Sequence, residues 1–230
     1  YFIMQVDLLK KPKNVTILCG FPGVGLVGTI ATRYLIEHLN FEEIGYVHSE
    51  KLKPVMAIHQ SKVIEPIEIY YNAKSKVVII QGIISVAGIE WLVANAVKEI
   101  AKTLNAKELI VLEGITAKDD KTEVLYFGPA FAKSKIKKLD EGIVLGTTAA
   151  LMLKMKGVSC LFSETKTGLP DSAAAAELIK VLDRHLKLKI DVKPLLETAK
   201  KVEAKIKTLM DQSKKTLEQK EKKDDLSYLG

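Results

Sequence analysis

The chain has 230 residues, 47% hydrophobic and 27% charged, the balance of an ordinary globular domain with or without an extension. That much apolar surface offsets ordering entropy and excludes a disordered chain, and no uncharged apolar run approaches the roughly 18 residues of a membrane span. The formal net charge is +7, yet the acids are interleaved with the lysines and Arg33 and Arg184 are the only arginines, which speaks against nucleic-acid recognition.

Strand and helix signals alternate through residues 1–186. The opening YFIMQVDLLKKPK carries charge too early for a secretory signal. Asn14–Cys19 is a buried strand closed by Gly20 and Pro22, and apolar positions at helical spacing follow from Val24 to Leu39. Ile44–His48, Val55–His59, Pro66–Tyr71 and Lys76–Gln81 read as strands. Gly88–Leu104 reads as a helix with Trp91, Leu92, Val97 and Ile100 toward its apolar side. Glu108–Leu112, Glu123–Phe127 and Val158–Phe162 are further strands, and Thr147–Met155 is helical. Asp171 is placed to cap a helix running through His185. Buried strands alternating with helices predict an α/β fold, a largely parallel or mixed sheet with helices on both faces.

Residues 187–230 differ in kind. They hold twelve Lys against eight Asp and Glu, a net of +4. Pro194 suits the first position of a helix, no Gly or Pro follows it up to about Lys223, and Leu195, Ala199, Val202, Ile206 and Leu209 step by four and three. That is a short heptad seam on a helix of about 30 residues, a rod roughly 45 Å long. Its apolar stripe packs either along its own domain or against sister helices in an oligomer.

Gly20, Gly23, Gly25 and Gly28 lie between the first strand and the first helix. Gly23-Val-Gly25-Leu-Val-Gly28 matches the G-x-G-x-x-G of dinucleotide-binding folds, with Glu50 at the right remove for a ribose contact. The same glycines equally serve a tight turn and close helix–sheet packing with no ligand. Other chemistry is sparse. His38, His48, His59 and His185 have no metal-ligand spacing, and Cys19 and Cys160 sit in apolar runs as buried thiols of a reducing cytoplasm. Glu113, at the end of a strand before Gly114, is either a ligand-facing acid or an acceptor shaping the Gly114 turn. No catalytic constellation and no metal site emerge, so a non-enzyme without a cofactor is expected.

The full run Gly20-Phe-Pro-Gly-Val-Gly-Leu-Val-Gly28, followed by Ala31 and Tyr34-Leu-Ile36, resembles the opening signature of the proteasome-assembly chaperone family. Leu109–Ile115 is similar to that family's internal strand and Gly-Ile turn. Thr165-Lys-Thr-Gly-Leu-Pro-Asp171, with Ala173–Ala176, is similar to its closing segment. The resemblance spans roughly residues 10–186, and the extension after Lys187 resembles archaeal members with protruding C-terminal helices.

The resemblance implies a homo-oligomer that binds the α-ring of the proteasome core particle. Gate-opening activators end in hydrophobic–Tyr–any residue (HbYX). The segment Leu226-Ser-Tyr228-Leu229-Gly230 is similar to that motif but has Tyr one place early and Ser before it. Leu226, Tyr228, Leu229 and Gly230 are therefore the expected partner-binding residues. The expectation is a cytoplasmic proteasome chaperone or activator, with a nucleotide-binding enzyme using the Gly20–Gly28 loop as the alternative.

Overall fold

Thr16–Gly20 (β2) begins the sheet interior: its residues from Ile17 onward are fully buried, as befits a short β-branched and apolar run covered on both faces. The computed structural model describes residues 4–52, 57–59, 61–117, 123–165 and 170–198. Before β2 comes β1 (Gln5–Leu8); after it come α1 (Val27–His38), β3 (Glu42–His48), β4 (Ala57–His59), β5 (Lys62–Ile64), β6 (Ile67–Asn72) and β7 (Val77–Gly82). The second half contributes α2 (Glu90–Thr103), β8 (Glu108–Thr116), β9 (Val124–Phe127), β10 (Lys137–Lys138), α3 (Gly146–Lys154), β11 (Ser159–Thr165) and α4 (Ser172–Leu186).

Nine strands form one sheet in the order β1-β3-β6-β7-β2-β8-β11-β9-β10, and β4 and β5 form a separate hairpin. The centre is parallel: β2 pairs with β7 and β8, and β8 pairs with β11. The flanks turn antiparallel at β6–β7, β3–β6, β1–β3 and β11–β9. The sheet is thus mixed rather than largely parallel. Strands β1, β5 and β10 do not stand out in the sequence, because QVDL, KVI and KK are too short and too charged to read as apolar runs, and β8 runs on to Thr116, beyond the apolar stretch Glu108–Leu112.

Alternation along the central strands divides the core. Ile17, Cys19, Val78, Ile80, Val111 and Phe162 pack in one cluster with Val93, Val97, Ile100 and Leu151 of α2 and α3. Leu18, Ile79, Ile110, Leu112 and Leu161 alternate with them and are equally buried, on the face where α1 and α4 pack together. Trp91 departs from expectation. It is 52% exposed, with Lys154 Nζ 5.8 Å from its ring centroid.

The chain divides into two units, Tyr1–Val192 and Lys193–Gly230. Within the second, residues 193–198 are helical and include Leu195, half-buried. The other seam residues, Ala199, Val202, Ile206 and Leu209, and the tip residues Leu226, Tyr228, Leu229 and Gly230 lie outside the described residues.

Candidate functional site

The parallel strands β2, β7, β8 and β11 run in one direction, and their carboxyl ends share one edge. From that edge the chain leaves β2 and β11 for α1 and α4 on one face, but leaves β7, the neighbour of β2, for α2 on the other. Where neighbouring connections diverge to opposite faces a crevice opens, the usual place for a ligand in such sheets. Here it is a cavity of about 770 Å³. Its wall includes Phe21 to Val24 after β2, Val86 before α2, Glu113 and Ile115 on β8, Phe162 on β11 and the segment from Lys137 to Thr147.

The glycine loop forms one side of this crevice, and each glycine has a separate duty. A side chain on Gly28 would overlap the Leu112 carbonyl, and one on Gly20 would run into Thr32 and the Gly28 carbonyl. These two residues let the start of α1 lie directly on β2 and β8. Gly25 has φ +62, a left-handed turn beside Thr165. A side chain on Gly23 would meet the Glu113 carboxylate, so that carboxylate faces the loop backbone.

Glu113 is fixed from two sides. Thr148 Oγ1 donates to its Oε2 at 2.8 Å, and the Gly114 backbone N–H donates to Oε1 at 3.2 Å. Burial pushes its carboxyl above the ordinary range, while those two hydrogen bonds pull the other way. Glu113 accepts the N–H of the Gly114 turn and also borders the cavity. Thr148 and the Ile143–Leu145 lip were missed. The apolar run Ile143-Val-Leu145 between Gly142 and Gly146 is the available signal in the sequence, and in the fold Ile143 and Leu145 are exposed while Val144 packs against the core.

The dinucleotide pattern has no counterpart in this topology. A Rossmann fold sets its second strand parallel beside the first, whereas β3, the strand after α1, pairs antiparallel with β1 and β6. Glu50, just past β3, therefore belongs to a strand separated from β2 by β6 and β7. The thiols are buried; burial raises both, Cys160 to about 12 with the Glu113 charge adding, so they stay protonated. His185 Nε2 lies 3.2 Å from Glu108, and His38 stacks on Tyr34. Among the described residues no three His, Cys, Asp or Glu side chains gather in a way that could hold a metal ion, and no helix is long and apolar enough to cross a membrane.

Behind the cavity, Asp171 ties distant segments together. Its Oδ1 accepts from the Ala174 N–H at 2.9 Å, as the expected cap of α4. Its Oδ2 accepts from Thr165 Oγ1 at 2.7 Å, and its own N–H donates to the Gly25 carbonyl at 2.9 Å. The three sequence segments singled out above thus meet at one end of the sheet. Residues 17–210 match the PAC2 family. The chain belongs to the PAC2 family. It is 30% identical to the uncharacterized protein MJ0106 of Methanocaldococcus jannaschii, across 89% of each chain. Among solved structures it is similar to Pyrococcus furiosus PbaA, described as an archaeal homolog of proteasome-assembly chaperone. The TM-score is 0.83 at 26% identity, covering 98% of this chain and 99% of that one. Pyrococcus furiosus PbaB, described as an archaeal proteasome activator, shares the fold with a TM-score of 0.75 at 19% identity, over 91% of this chain and 100% of that one. In this PAC2 chain the glycines and Asp171 serve backbone packing around a crevice, and the resemblance in sequence follows contacts that hold α1, β8, β11 and α4 together.

Proposed function

We propose that this PAC2 protein is a cytoplasmic, non-enzymatic proteasome chaperone or activator, a homo-oligomer whose C-terminal segments engage the α-ring of the core particle. The observation that carries this reading is the likeness to PbaA over 98% of the chain, which extends into the segment after Lys187. Residues 1–186 supply the α/β platform. Residues 187–230 supply a helix with Leu195, Ala199, Val202, Ile206 and Leu209 as the oligomer seam. Leu226, Tyr228, Leu229 and Gly230 are the contact residues. Several tethered tails raise one another's effective concentration, so individually weak peptide contacts add up to a stable complex. Neither nucleic acid nor membrane enters this scheme.

Removal of residues 226–230 tests it. Pull-down of core particle should fall about tenfold or more as avidity is lost, together with any effect on peptidase rate, while sedimentation and thermal midpoint stay those of the full chain. Undiminished capture by the shortened protein overturns the tail reading.

A further inference from the structure

We propose that the cavity at the carboxyl ends of β2, β8 and β11 binds a small aliphatic amine, with its ammonium on Glu113 and its hydrocarbon against Phe21, Val86 and Phe162. This reading rests on the cavity alone and is independent of the tail and the proteasome.

Size comes first. A volume of about 770 Å³ lies within the usual range for small-molecule sites and is far larger than a packing defect. The sign of the charge comes next. The protein is basic overall at +7, yet this wall carries Glu90, Glu113, Asp140, Glu141 and Glu164 against Lys137 and Lys138. Lys137 is itself paired with Glu123 at 3.5 Å. Such a wall draws in a cation and repels phosphates and carboxylates, which disfavours a nucleotide and an acidic peptide end alike.

Glu113 then selects the kind of cation. Each of its oxygens already accepts one hydrogen bond and keeps lone-pair capacity for another. The carboxylate is held in place but under-solvated, since burial disfavours its charge. An ammonium donor restores what burial removed, through a charge-assisted bond to an acceptor already oriented. The apolar groups beside it, Phe21, Val86 and Phe162, are nearly or fully buried and match a methylene chain rather than a bare ion. A metal is a poor fit, because among the described residues no ligand set converges.

Titration calorimetry of the full chain with pentylamine and 1,5-diaminopentane tests this, with pentanoate and ATP as counter-probes. The amines should bind saturably at one site per chain. Glu113→Gln, which keeps the shape of the side chain, should weaken them about tenfold or more. Ala87→Trp, placed at an exposed part of the cavity wall, should abolish binding by filling space. Thermal midpoints and sedimentation of both variants serve as fold controls, and Ala87→Trp decides the question if Glu113→Gln does not fold. The proposal is overturned if the amines give no saturable heat at about 1 mM. It is equally overturned if either folded variant binds them as the parent does, or if pentanoate or ATP binds more tightly.

Discussion

Glu113 and Glu68 present the same side chain in two halves of one sheet. Each accepts one hydroxyl and one backbone N–H: Thr148 at 2.8 Å and Gly114 at 3.2 Å for Glu113, Tyr70 at 2.7 Å and Glu65 at 3.1 Å for Glu68. Burial pushes both carboxyls upward. What differs is the neighbourhood. Glu113 borders a cavity, whereas Glu68 is 1% exposed and sealed within β6. The cause is topology. Parallel strands deliver their ends to a common edge, and their connections part to opposite faces, leaving room. The antiparallel strands β3, β6 and β7 reverse direction at each step, so no shared edge of strand ends develops. Identical local chemistry therefore gives an addressable acid in one half and a structural one in the other.

The sharpest way to break the parallel half is a single methyl. At Gly28 a new side-chain atom would overlap the Leu112 carbonyl, backbone that cannot rotate aside. Gly28→Ala should lower stability by about 3 kcal/mol, the upper range for overpacking, measured by urea unfolding. Gly88→Ala is the matching control: its φ of +87 is unfavourable for a side chain, but nothing lies within 4 Å. That strain alone should cost about 1 kcal/mol. Equal losses at the two sites would show that the α1–β8 contact is not what builds the crevice.

Asp171→Ala attacks the same half through its polar clamp. It removes the cap of α4 and the hydrogen bond that Thr165 Oγ1 donates to the Asp171 carboxylate. A loss of about 2 kcal/mol is expected by thermal or urea unfolding. Asp171→Asn, which keeps an acceptor for the Ala174 N–H, should recover part of it. Equal losses for the two variants would assign the effect to charge rather than to the cap.

These two sites also show what the sequence discloses. Asp171 is legible because cap chemistry is local and residue type and position suffice, whereas the close approach of Gly28 to the Leu112 carbonyl is one of the two readings that the glycine run leaves open. The central strands were legible for a related reason, since Thr16–Gly20 and Val77–Gly82 are buried on both faces and read as continuous apolar runs. β1 was not legible, because its exposed and half-buried residues gain their place only by pairing with β3. Nor was the cavity. Glu113 meets Thr148 across 35 residues of chain, and no periodicity reports a contact between a strand end and a helix start. The G-x-G-x-x-G pattern matches a dinucleotide fingerprint for the same reason: its strand–turn–helix context is local, while the position of β3, which departs from that fold, is not.

The smallest effect, and the one that separates the two acids most cleanly, is in pH dependence. A carboxyl whose folded pKa stands above its unfolded value of about 4.5 holds its proton more tightly in the native state. Above that pH the native state binds more protons than the unfolded one, so stability falls as pH rises toward the raised value, and is fully present below the unfolded one. Glu68 faces Tyr70, Glu43 and Arg33, and its burial outweighs the two hydrogen bonds that favour its charge. Glu68→Gln removes the titration while keeping the shape, so its stability should gain on the parent's between about pH 4.5 and neutrality. Urea midpoints measured across that range check it, and parallel curves would mean that Glu68 does not set the slope. Glu113→Gln should change the slope in the same direction. Saturating 1,5-diaminopentane should flatten the Glu113 contribution in the parent and leave that of Glu68 untouched, because a sealed carboxylate offers an incoming ammonium no approach.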